Sequence, residues 1–262
     1  MHRGSHGRHR TTRLGIPQRP QTVRGWLVVG AGAAALVVAG GVGLLYQVVF
    51  GTSSPPPLSL STPSPTSASA TQSSPASQGT AGQLAGSWTV ASGSVAGYRV
   101  REQLAFLSAP SDAVGRTSSI KGTATLSGSG DALTVTAASF TVDVSTLASD
   151  RPMRDERIHS IGLQSDQYPT ASYVLTSPVT LPSSATSGQA IHVTSVGRLT
   201  IHGTTRNETI PLDARLSGTE LEVVGSITFP WSEFGMQAPS VGGFVTVTGP
   251  ATMEFDLHLQ RG

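Results

Sequence analysis

Cysteine is missing from all 262 residues. That absence removes disulfides, thiolate nucleophiles, cysteine metal sites and a lipid-modified cysteine anchor, so the fold must be held by its core alone. Acidic residues are missing until Glu102, and no Asp, Glu, Lys or Arg occurs between Gly25 and Tyr98. Common catalytic signatures are missing too: there is no Gly-x-Ser-x-Gly elbow, no His-Glu-x-x-His and no Gly-x-x-x-x-Gly-Lys phosphate loop. No catalytic residue is assigned on this pattern, and no cofactor is expected.

The uncharged stretch divides the chain. Ahead of it stand six arginines (3, 8, 10, 13, 19 and 24) and no acid; beyond it eleven basic residues face fifteen acidic ones, a net charge of −4. The positive balance of the whole chain therefore belongs to the tail, residues 1–25, and the remainder offers no basic face for nucleic acid. From Trp26 to Phe50 run 25 residues of apolar or small side chains with Gln47 as the polar exception. At about 1.5 Å per residue, a helix of that length crosses a hydrocarbon core of about 30 Å. Residues 26–50 are thus predicted as a transmembrane helix, with Trp26, Tyr46 and Phe50 at the two interfaces. By the positive-inside rule, the arginines keep the N-terminus in the cytoplasm. The expected localisation is a cell membrane crossed once, with the C-terminal domain extracytoplasmic. A cleaved secretory signal is the competing reading, since Ala39-Gly40-Gly41 offers small residues, but its apolar region is usually only about 7 to 15 residues long. Residues 51–86, rich in Ser, Thr, Pro, Ala and Gly and opening on Pro55-Pro56-Pro57, have no apolar period and are predicted as a disordered, solvated spacer.

Residues 87–262 carry a period of two. In the last strand Val245, Val247, Ala251, Met253, Phe255, Leu257 and Leu259 alternate with polar residues, and Gly249-Pro250 interrupts the ladder as a bulge or bend. Ile210, Leu212, Ala214 and Leu216 repeat the pattern, as do Leu221, Val223, Ile227 and Phe229. Between Leu133 and Val144 the apolar parity flips, which predicts a second bulge near Ala138 or Ser139. The sum is an all-β domain of about eight antiparallel strands closed into a barrel, with one short helix between Ser149 and Leu163. Parity alone leaves the interior open to two readings, because small residues such as Gly122, Ala124, Ala137, Ser195, Gly197, Ala214, Gly225 and Ala251 share the inward face with bulky ones. Eight strands enclose either a packed interior or one small ligand.

The run from Gly197 to Arg206 reads as a hairpin in which Leu199 and Ile201 face one way, Arg198, Thr200 and His202 the other, and Gly203 permits the short connection. Together with Val114-Gly115-Arg116-Thr117, Lys121-Gly122, Ser149-Asp150, Arg154-Asp155, Tyr168-Pro169 and Glu233-Phe234-Gly235, it resembles the YceI-like family over Trp88 to Gly262. These are lipocalin-like barrels that bind polyisoprenoids in an apolar tunnel. The resemblance implies an isoprenoid lipid partner, polyprenyl or quinone in type. On the inward register the tunnel wall would comprise Tyr98, Val100, Phe140, Val142, Tyr173, Leu175, Leu199, Ile201, Phe229, Met253 and Phe255. Arg151, Arg154 and Arg157 stand as head-group contacts at the tunnel mouth, or as surface ion pairs of a capped helix covering one barrel end with Met153, Ile158 and Ile161. His192, His202 and His258 fall on outward parity, and the histidine spacing matches no metal motif. A cell-envelope interaction module with a filled barrel is the alternative function.

Overall fold

The computed structural model describes residues 54–62, 84–105, 109–129, 132–217, 219–241, 243 and 245–262. The tail expected over 1–25 and the transmembrane helix expected over 26–50 lie outside the described residues. Among the described residues, no helix is long and apolar enough to cross a membrane.

Among the described residues, alternation becomes twelve strands: β1 (Gly86–Val90), β2 (Val95–Leu104), β3 (Ser111–Thr117), β4 (Ile120–Ser129), β5 (Ala132–Asp143), β6 (Thr170–Leu175), β7 (Val179–Leu181), β8 (Ile191–Ile201), β9 (Thr204–Ser217), β10 (Glu220–Phe229), β11 (Ser240–Val241) and β12 (Val245–Arg261). Eight of them form a ring in the order β1-β4-β5-β6-β8-β9-β10-β12, and β1 closes it by pairing Trp88 with Arg261 and Val90 with Leu259. Farther along the same edge of β12 lies β2, which pairs in turn with β3. So β1 and β2 act as one strand broken at 91–94, and β3 and β4 as one broken at Ser118-Ser119. Ser94 makes the first break tolerable: its hydroxyl donates to Ala91 O at 2.9 Å and accepts from His258 N at 2.9 Å, covering buried backbone groups that the ladder drops. Sequence reasoning expected about eight strands and did not resolve β1, β3 and the short β7 and β11 as separate elements.

Both predicted irregularities exist. Register with β2 shifts between Thr248 and Thr252, where Gly249 takes φ +75° and Pro250 has no N–H to donate. On β5 the extra residue is Thr136, because Thr125 pairs with Ala137 and Leu126 with Val135. The bulge thus comes two positions earlier than predicted, and Ala137 is exposed rather than inward. The hairpin at His202-Gly203 has φ of 51° and 68°, the mirror-image turn whose twist matches that of the strands.

The helix is shorter than expected. α1 spans Pro152–Arg157 and passes into a π-helical turn at Ile158–Gly162; Ile158 is buried, whereas Met153 is 75% exposed. Arg151 at the N-cap makes no side-chain capping bond, and Asp155 in the first turn accepts from Ser149 N at 2.9 Å.

The spacer is not uniformly solvated. Residues 54–62 lie against the outer wall: Arg99 donates to Pro55 O at 2.8 Å and Arg116 to Pro56 O at 2.6 Å. Ser61 gives its N–H and its hydroxyl to Glu222 Oε1 at 2.6 and 2.7 Å, Arg215 donates to Ser61 O, and Ser54 Oγ donates to Asp112 O. Consecutive prolines suit this strap, since they present carbonyl acceptors with no N–H groups to satisfy and lose little chain entropy on ordering.

Candidate functional site

The inward side chains fall into two regions of different character. At the end carrying α1, Tyr98, Val100, Val144, Leu147, Ile158, Leu199, Ile201, Phe229, Phe234 and Met236 form one buried cluster, with Phe229 and Phe234 meeting edge to face at 4.7 Å. This end is filled. At the other end Trp88, Leu126, Leu133, Leu181, Ile191 and Leu259 form a ring of buried residues around inward neighbours that are only half-buried, among them Phe140, Val193, Leu216, Leu221 and Val223. Trp88 donates its indole N–H to Leu84 O at 3.0 Å, and Ala185, from a turn of 3-10 helix at Ser183–Ser187, packs into the same cluster.

The half-burial marks a hollow. An apolar cavity of about 170 Å³ occupies this part of the barrel, lined by residues from every ring strand. On β12 the usual order of burial is inverted: inward Met253 and Phe255 are half-buried, while outward Glu254 is 3% exposed beneath Arg99 and Arg116. Burying apolar side chains normally drives closure of such a space; here they are left facing it.

Glycine keeps the hollow open. A Cβ on Gly122 would stand 2.4 Å from the Phe140 ring, one on Gly225 2.5 Å from the Phe255 ring and one on Gly197 2.4 Å from the Tyr173 ring. Phe140 and Phe255 sit directly across the ladder from Gly122 and Gly225. Each ring lies down over the backbone of its neighbour instead of projecting toward the barrel axis.

Of the residues expected to form the tunnel wall, Phe140, Val142, Tyr173, Leu175, Leu199, Met253 and Phe255 line the cavity. Tyr98, Val100, Ile201 and Phe229 do not; they are inward, as parity required, but belong to the filled end. The lining also contains Leu84, Trp88, Leu126, Leu133, Ile191, Val193, Leu212, Leu221, Leu257 and Leu259, which sequence reasoning did not assign to the wall. Several of these alternate correctly on their strands; what parity omitted was their height along the barrel.

The arginines stand elsewhere. Arg154, 11% exposed, binds buried Glu102 at 2.5 Å and also pairs with Asp150; Arg151 reaches Asp150 at 3.7 Å, and Arg157 is exposed. Burial works against the charge of Arg154, but its bonds to Glu102 and Asp150 outweigh that and raise its pKa. None of the three lines the cavity; of the two positions expected for them, Arg151 and Arg154 are found in ion pairs beside the short helix. His202 is likewise no bare surface histidine: it contacts Phe234 O at 3.2 Å, Gln164 Oε1 at 2.6 Å and the Tyr168 ring at 4.3 Å between centroids.

These ties bring Ser149, Asp155, Arg154, Tyr168, His202, Gly203 and Phe234 together as the architecture of one barrel end, in the order in which the motifs occur. The model of the YceI-like domain matches residues 88–259. The chain belongs to the YceI-like domain family. The YceI-like barrel is similar to a polyisoprenoid binding domain from Saccharophagus degradans, described as implicated in plant cell wall breakdown, at 14% identity and TM-score 0.50 over 68% of this chain and 99% of that one. BcnA of Burkholderia cenocepacia follows at 19% identity and TM-score 0.45, over 63% of this chain and 95% of that one. No curated protein matches the sequence.

On the outer wall of this YceI-like domain, Glu222, Asp256 and His258 are the one group among the described residues to bring three metal-type ligand atoms within 4.8 Å of one another. Glu222 is committed to Ser61 and Arg215, and His258 to Glu220 and Asp256. Burial alone would raise the Glu222 pKa; the two donations from Ser61 and the Arg215 guanidinium outweigh it and hold the carboxyl below its usual value.

Proposed function

We propose that the hollow end of this barrel holds an isoprenoid lipid, and that residues 26–50 tether the domain to the outer face of a membrane from which the lipid is drawn. One observation carries the ligand reading: inward apolar side chains remain half-buried around an open apolar space of about 170 Å³ in a chain of the YceI-like family. For comparison, an apolar cavity of about 150 Å³ already binds benzene in another protein. The tether reading is supported by the 25-residue apolar run from Trp26 to Phe50 and the arginines ahead of it. The alternative, an envelope interaction module with a filled barrel, accounts for the filled end but not for the hollow one.

Lipid extraction and native mass spectrometry of the full-length chain, purified in detergent from isoprenoid-containing membranes, test the ligand reading. A bound isoprenoid is the expected result. A lipid-free chain that also fails to bind a fluorescent polyprenyl analogue contradicts it. Protease added to intact spheroplasts tests the tether: release of the barrel is expected, and protection of the barrel together with cytoplasmic markers contradicts it.

A further inference from the structure

We propose that the barrel wall contains a lateral window between β9 and β10, latched by the turn at Trp231–Phe234, through which the cavity exchanges its ligand. The inference rests on the carrier reading above and adds to it the route of exchange.

The window begins where the ladder stops. Among the described residues, β10 pairs with β9 from Glu220 opposite Ser217 to Gly225 opposite Leu212 and no farther. Yet β9 stays paired with β8 all the way to Thr204, and β10 stays paired with β12 as far as Phe229. Proline explains the break. Ile201 and Thr204 close the two-residue hairpin as a bonded pair, so alternation turns the backbone groups of Thr205, Asn207, Thr209 and Pro211 away from β8 and toward β10. Continuing the register sets Pro211 opposite Ser226, where the next rung needs an N–H that proline lacks. Past that point the facing edges of β9 and β10 have no strand partner.

The cavity reaches this seam. Ile210 and Ile227, which stand on its two sides beyond the last rung, both line the apolar space, while Thr209, Pro211 and Ser226 beside them are exposed to solvent. Side chains alone close the wall here. Everywhere else around the ring they are backed by a bonded ladder over the height of the cavity, so this is where the wall parts at the lowest cost.

The 3-10 turn at Trp231–Phe234 crosses the base of the window. His202 holds Phe234 O at 3.2 Å from the hairpin tip, and Trp231 Nε1 donates to Gly249 O at 3.2 Å, so the turn is pinned on both flanks. Toward β9 beside the window it is tied by Arg206 Nε, which donates to Glu233 O at 3.0 Å. Glu208 stands next to this tie with its Oε1 buried and without a hydrogen-bond partner. Burial, and then the neighbouring Glu233 carboxyl, raise the Glu208 pKa, while Arg206 opposes the rise. Two carboxyls facing each other across a seam seal it poorly. Opening breaks the Arg206 tie and no rung of the ladder.

Because the chain has no cysteine, introduced thiols are unique. The full-length chain in detergent is loaded with a fluorescent polyprenyl analogue, and release is timed after adding excess unlabelled analogue. Glu208→Cys/Glu233→Cys, bridged by a short bis-methanethiosulfonate, should slow release about tenfold, and reduction should restore the rate. Pro211→Thr returns the missing N–H and should slow release about threefold; Arg206→Ala frees Glu233 O and should speed it about threefold. A bulky maleimide on Ser187→Cys, on the exposed turn bordering the hollow end, should change the rate by less than about twofold. A bridge without effect, release unchanged in both Pro211→Thr and Arg206→Ala, or release stopped by the tag at Ser187→Cys overturns the window and leaves the carrier reading standing. Failure of the unaltered chain to bind the analogue overturns both.

Discussion

The two ends of this barrel share strands, register and inward parity, yet one is solid and the other hollow. At the filled end Phe234 is 0% exposed and the buried Arg154–Glu102 pair is locked at 2.5 Å. At the hollow end Phe140 and Phe255 lie flat over glycines and remain half-buried. The difference teaches that a single alternating pattern supports two kinds of interior, and that the loops crossing each end decide which one forms. A helix, a π-turn and a lashed hairpin fill the first. The second is bordered by a short 3-10 turn and Leu84.

Substitution should separate the ends. Phe234→Ala removes a fully buried ring and should cost about 3 to 5 kcal/mol in chemical denaturation, whereas Phe255→Ala enlarges an existing space and should cost less than about 2 kcal/mol. Equal losses would erase the distinction between the ends. Arg154→Ala strands buried Glu102 and should cost about 3 to 5 kcal/mol without changing the occupancy of the folded fraction; Arg157→Ala, at an exposed site, should be nearly neutral. A selective loss of lipid in Arg154→Ala, with the melt unchanged, would return Arg154 to a head-group role. Ala214→Leu fills the hollow and should shift stability by about 1 kcal/mol or less while lowering bound lipid. Its cost would approach the roughly 1 to 3 kcal/mol of overpacking only if the space were already full.

The smallest effect concerns the strap joining the outer walls of the two ends. Because the folded pKa of Glu222 is depressed, its contribution is fully present above the unfolded value of about 4.3 and is lost as pH falls through the lower folded value. Hydrogen exchange at the Ser61 amide should therefore show protection at neutral pH that disappears in acid, while amides of the filled end stay protected. Persistence of Ser61 protection below both values would show that Glu222 does not hold the strap.

The fold was legible in the sequence where chemistry demanded a particular residue. Gly203 announced a turn because glycine tolerates a positive φ, although His202, expected on the strand, shares that turn with it, and Gly249-Pro250 announced the bend in β12 because neither residue suits a regular ladder. Such demands concentrate at the filled end, which is why its motifs carried the resemblance. The cavity wall has no equivalent signal. Leucine, valine and phenylalanine alternate in the same way whether they meet a packed core or an open space, so parity grouped Ile201 and Phe229 with Phe140 and Phe255. The distance of each inward residue from the motif-bearing loops is the missing coordinate: Ile201 adjoins His202, whereas Ile191 and Val193 lie ten and eight positions before Ile201 on the same strand. The strap was missed because Ser, Thr and Pro composition describes a segment that cannot form a core, and residues 54–62 borrow one side of a core formed elsewhere.

The central claim is that the hollow end, and not the filled end, takes the lipid. An isoprenoid probe bearing a photoreactive diazirine, bound to the full-length chain, irradiated and mapped by peptide mass spectrometry, tests it most directly. Labelling is expected on Phe140, Val193, Leu221 and Phe255. Labelling confined to Ile158, Phe229 and Phe234, or spread over the outer surface and undiminished in Ala214→Leu, would contradict it.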